Sequence, residues 1–95
     1  GDRDLARQNF DRAIELDAEN SDAFYNRGYL LATAGNLRQA QRDFDRAIEL
    51  DANSAKALLG RAAVQASLGN VNGAIADFSQ AIDLQPNPCL LYTSD

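Results

Sequence analysis

The sequence contains no histidine, so the side chain most used as a general base at neutral pH and as a metal ligand is missing throughout. Its one cysteine, Cys89, rules out an internal disulfide and any paired-cysteine zinc motif, and leaves the redox compartment unreadable. With those gaps, neither a serine nor a cysteine triad can be assembled. A glycine-rich phosphate loop is absent too, because Gly69-Asn-Val-Asn-Gly73 reads as a turn between helices. No apolar run approaches the roughly 18 to 20 residues that span a bilayer, and no basic-then-apolar leader opens the sequence. Positive charge is scarce: nine cations, eight of them arginine, stand among 14 carboxylates, for a net charge of −5 and an isoelectric point near 4.5. Those cations are scattered and form no patch, which argues against nucleic acid and anionic membrane as partners.

What remains for chemistry is carboxylates. Asp43, Asp45, Asp77 and Glu49 are numerous enough to pair for acid–base work, but they alternate with arginines on what read as solvated helix faces, with Arg42/Asp45 at helical spacing. Catalysis by this segment is not expected, and no metal or cofactor is implied. At 95 residues, 45% hydrophobic and 24% charged, the chain has the balance of a small soluble domain with little stability to spare.

The stretch FDRAIELDA occurs at Phe10–Ala18 and again, unchanged, at Phe44–Ala52; a looser copy, FSQAIDLQP, covers Phe78–Pro86, and the copies are always 34 residues apart. The same period links Gly1, Gly35 and Gly69, then Ala6, Ala40 and Ala74, then Arg27 and Arg61. Periodicity of this order is the signature of a stacked array. In the second copy Phe44, Ala47, Ile48 and Leu50 fall on one side at helical spacing, and Asp43, Asp45, Arg46 and Glu49 fall mostly on the other. Leu37 and Ala40 extend the apolar stripe upstream. Gly35 and Asn36 mark a break, since glycine tolerates the left-handed backbone that ends one helix and asparagine caps the next. Before it lies another amphipathic stretch, Asp22–Ala34, with Phe24, Gly28 and Leu31 inward and Ser21 or Asn20 as its cap.

Five helices are expected, at about 2–17, 22–34, 37–51, 55–68 and 71–84. Gly28, Ala40, Ala47, Ala62, Ala74 and Ala81 mark places where backbones approach, and Phe44 and Phe78 fill the spaces between. A single hairpin cannot bury both of its faces, so neighbours must stack. The expected fold class is all-α: an α-solenoid of antiparallel helix–turn–helix units forming a right-handed superhelix with a concave and a convex side.

At these residues the chain resembles the tetratricopeptide repeat, a 34-residue helix–turn–helix family. The pattern reads Phe24-x2-Arg27-Gly28-x2-Leu31, Ala40-x3-Phe44, Ala52; the next copy reads Leu58-x2-Arg61-Ala62-x2-Gln65, Ala74-x3-Phe78, Pro86. A leading half-copy keeps Ala6-x3-Phe10 and Ala18. The resemblance covers residues 1–88, divided as a half repeat 1–20 and full repeats 21–54 and 55–88. Departures from the pattern are Gln65 in place of a large apolar residue, Arg3 in place of the apolar residue found at Leu37 and Val71, and alanine for proline at 18 and 52. They predict weaker packing in the last hairpin and a frayed start. The closing Cys89–Asp95, CLLYTSD, resembles translated sequencing-library adapter and is expected to be a non-native tail, with a parent protein longer at both ends.

The resemblance implies a protein–protein interaction scaffold whose concave groove is lined by the first helix of each hairpin and takes an extended peptide or a partner helix. Carried over residue by residue, it places Asp22, Tyr25, Asn26, Tyr29 and Thr33 on the groove in the first full repeat, and Lys56, Leu59, Gly60, Ala63 and Ser67 in the second. Tyr25 and Tyr29 share one side of their helix, where they either sandwich an apolar ligand side chain or cover the neighbouring helix; the residues leave both open. Asn26 and Lys56 match two positions of the family's carboxylate clamp. Gly60, however, stands where the second basic residue belongs, and the preceding first helix is missing, so the weight falls against a working clamp. Two alternatives stand beside the scaffold reading. One is an RNA-binding pentatricopeptide-like array, which the period of 34 and the negative charge oppose. The other is a regulatory arm of an enzyme whose catalytic domain lies elsewhere. The cut ends of the array further predict self-association through exposed apolar end faces.

Overall fold

Five α-helices make up residues 2–84, the part of the chain that the computed structural model describes: α1 Asp2–Leu16, α2 Ser21–Thr33, α3 Leu37–Leu50, α4 Ala55–Ser67 and α5 Val71–Leu84. No end departs from the expected limits by more than one residue. The closing heptapeptide and Pro86, the last residue of the repeat pattern, lie outside the described residues.

Local chemistry explains the boundaries. Asn20 caps α2, its side chain accepting from the Ala23 amide at 3.1 Å, and Ser54, one period later, caps α4 by accepting from Ala57 at 3.3 Å. Asn36 occupies the cap position of α3 but makes no side-chain cap bond, contrary to expectation. Its counterpart Asn70 does, accepting from the Gly73 amide at 3.2 Å. Gly35 and Gly69 end α2 and α4 at φ 89° and 92°, where an L side chain is strained. Around each, two backbone bonds close a Schellman motif: Gly35 N–H donates to Ala32 O and Asn36 N–H to Leu31 O, with Gly69 to Ala66 and Asn70 to Gln65 in the second copy.

The short turns fold α2 back on α3 and α4 back on α5, and α4 then lies against both α3 and α2, while α1 packs on α2. One apolar cluster joins Leu31, Ala40, Phe44 and Val64; another joins Phe24, Ala47 and Ala57. Each cluster draws on α2, α3 and α4, so neither hairpin has a core of its own. All six small residues expected inside are buried. Of the two rings, Phe44 is 1% exposed, whereas Phe78 is 40% exposed because among the described residues no helix lies beyond α5.

The structure overturns one reading of charge. Asp43 and Asp77, expected on solvated faces, are buried. Arg27 explains the first: its Nε and Nη2 donate to both oxygens of Asp43 at 2.7 Å, and its Nη1 donates to Asp11 at 2.8 Å. Arg61 repeats the arrangement with Asp77 at 2.8 Å and Asp45 at 3.0 Å. Each arginine thus ties three consecutive helices through a bidentate and a single bond. Both guanidiniums are held above their ordinary pKa, chiefly by the hydrogen bond to Asp43 or Asp77; burial opposes the rise and Asp11 or Asp45 adds to it. Because the folded value is the higher one, this contribution is complete below the ordinary arginine range and is lost only as pH rises through the folded value. Gln65 is also better placed than expected: buried, it donates to Asp77 and accepts from Asn70, extending the ion pair into a polar network in place of an apolar contact.

Candidate binding groove

Between α2 and α4 runs an open cleft of about 440 Å³. Its walls follow from the helical period: residues 25, 29 and 33 of α2 and residues 56, 59, 60, 63 and 67 of α4 fall on the faces turned toward it. Eight of the ten residues expected on the groove therefore come together here, namely Tyr25, Tyr29, Thr33, Lys56, Leu59, Gly60, Ala63 and Ser67. The other two do not line it. Asp22 stands at the rim, where its carboxylate meets Lys56 Nζ at 3.1 Å, and Asn26 is exposed on α2 outside the lining.

Ala32, Leu37, Phe44 and Val64 complete the cleft, and the sequence reading missed them. It drew only on the positions that the family places on first helices, whereas Leu37 and Phe44 rise from α3 to form the floor. The signal was available in the apolar stripe of α3, which begins at Leu37 and was assigned wholly to the interior.

The aromatic side chains form a run. Tyr25 lies 6.4 Å from Tyr29, centroid to centroid, and 5.8 Å from Phe44, in tilted contacts. The two tyrosine rings therefore lean on each other along one wall of the cleft. Lys56 Nζ stands 5.0 Å from the Tyr25 ring centroid, a cation–π distance, while also meeting Asp22. The Thr33 hydroxyl donates to the Leu30 carbonyl at 2.8 Å. What the cleft offers is apolar and aromatic surface with one lysine at its edge. Among the described residues no group of acidic or cysteine side chains is placed to hold a metal.

Hairpins repeated at a fixed period, sharing one core and leaving a cleft between their first helices, define a helical-repeat scaffold. The chain belongs to the tetratricopeptide repeat family, whose family model matches residues 1–37 and 25–87. Solved structures agree. The second TPR of Spaghetti (RPAP3), bound to the HSP90 peptide SRMEEVD, is 28% identical, with a TM-score of 0.86 over 90% of this chain and 79% of that one. The Arabidopsis OM64 TPR domain is 30% identical, with a TM-score of 0.86 over 92% of this chain and 73% of that one. YrrB, a TPR protein with an unusual peptide-binding site, is 29% identical, with a TM-score of 0.81; it matches 97% of this chain, which spans 47% of YrrB. No curated protein sequence matches the chain. The family match favours the tetratricopeptide reading over the pentatricopeptide one.

Proposed function

We propose that this segment is a protein-interaction scaffold that holds an extended peptide or a partner helix in the cleft between α2 and α4, and that it performs no catalysis of its own. The observation that carries this reading is the cleft itself: an open, largely apolar trough about 440 Å³ in volume, flanked by two tyrosines and a lysine. Concave apolar surface with a few polar groups at the edge is what a peptide needs in order to bury side chains while its backbone stays solvated. The peptide carried by the RPAP3 domain and the peptide-binding site of YrrB support the same class of partner.

Selection of phage-displayed random peptides on the immobilised chain tests the proposal. Selected peptides are expected to lose binding to Ala63→Arg, which fills the trough from an exposed helical position, and to retain it for Arg12→Ala on α1, outside the cleft. Peptides that hold both variants equally well would put the binding surface elsewhere.

A further inference from the structure

Residues of α2 and α4 correspond at a separation of one period, and the shape of the cleft comes from the positions where the two helices differ. Tyr25 and Tyr29 correspond to Leu59 and Ala63, so a tall aromatic wall faces a low aliphatic one. Asn26 corresponds to Gly60, and position 60 has no room for a side chain. A Cβ there would lie 2.7 Å from Phe44 Cζ and 2.8 Å from its Cε1, too close for real contact with a ring that the core holds fixed. The core thereby denies the middle of the groove any polar or ionic group from this position. Charge at the edge is already engaged, since Lys56 meets Asp22 and the face of Tyr25. Position 60 therefore offers nothing to repay a carboxylate for leaving water, whereas a bulky apolar side chain gains from the rings of Tyr25 and Phe44 and the methyl groups of Leu59 and Ala63 that line the trough. The net charge of −5 further favours a segment with cationic flanks over an acidic one.

We infer that the groove selects a bulky aliphatic or aromatic anchor, carried by a peptide with basic flanks and seated over Gly60 between the Tyr25–Tyr29 wall and Leu59 and Ala63. This rests on the peptide reading of the groove. It differs from recognition of an acidic C-terminus, for which Gly60 supplies no cation and Asn26 lies outside the lining.

The test uses fluorescein-labelled lysine/serine/alanine host peptides carrying a central Leu, Phe, Ala or Asp, together with SRMEEVD bearing a free or an amidated C-terminus. Each is titrated by anisotropy against the chain and against Ala63→Arg and Leu59→Lys, with circular dichroism to show that both variants keep their helices. The Leu and Phe peptides are expected to bind about tenfold or more tighter than the Ala and Asp peptides. Ala63→Arg should abolish that binding, and Leu59→Lys should narrow the gap between Leu and Asp. SRMEEVD should bind more weakly than the Leu and Phe peptides and be indifferent to amidation. If SRMEEVD binds more tightly, loses affinity on amidation and is displaced by Ala63→Arg, the anchor is overturned while the groove stands. Equal affinity of all probes for the chain and Ala63→Arg overturns both. Failure of the Leu and Phe peptides to bind up to their solubility limit also overturns the anchor.

Discussion

Phe44 is where core and groove meet. Its ring is buried among Leu31, Ala40 and Val64, lies beneath Gly60 and beside Gly28, and touches Tyr25 at the floor of the cleft. Phe44→Ala is expected to cost about 3–5 kcal/mol, since the two hairpins cannot close on the space the ring vacates; urea melts showing a loss below about 1 kcal/mol would contradict this packing. The importance of Phe44 was legible because its nonamer repeats and its neighbours on the helix face are apolar. Asp43, one position earlier, was not. A lone carboxylate is costly to bury, so on a helix beside arginines it reads as solvated. Its partner comes from another helix, at a separation that no rule for pairs within one helix covers. The missing signal was arithmetic: Arg27 stands 16 residues from both Asp11 and Asp43, and Arg61 stands 16 from both Asp45 and Asp77.

At the scale of the helix, propensity and caps set where each element begins, and packing sets which face is hidden. Asn20 and Asn36 look alike in sequence, yet only Asn20 bonds the first turn of its helix through its side chain. Asn20→Ala is therefore expected to lower stability by about 1 kcal/mol, and Asn36→Ala by no more than a few tenths, in paired chemical melts. Sequence could name both candidates, because asparagine before a helix is a general signal. It could not separate them, because the choice depends on side-chain torsion. The groove was legible in the same partial way: first-helix positions came from the family pattern, while the floor came from α3, whose apolar side chains looked like ordinary core.

For the whole molecule, the decisive fact is that burial is shared between hairpins. Val71, Ile75, Phe78 and Ile82 form an exposed apolar stripe along α5, the counterpart of the α3 face that α4 covers. The isolated chain is expected to self-associate through that stripe, with a sedimentation coefficient that rises with concentration, and Ile75→Lys should suppress the rise. A concentration-independent monomer would contradict it. The sequence did not mark these residues as exposed: Phe78 sits in a looser copy of the nonamer that holds the buried Phe44, and helical spacing alone does not say which apolar face a neighbour covers.

The arginine bridges have a consequence for how such a chain changes length. Arg27 and Arg61 use the same atoms on partners displaced by the same 34 positions, so the loss of residues 21–54 would bring Asp11 into the place of Asp45 beneath Arg61. Gain of one such block would insert another bridge of the same kind. Whole units can therefore enter or leave the gene without stranding a charge in the interior, whereas an insertion of another length within a helix, between an arginine and a carboxylate it holds, would put that one bridge out of register.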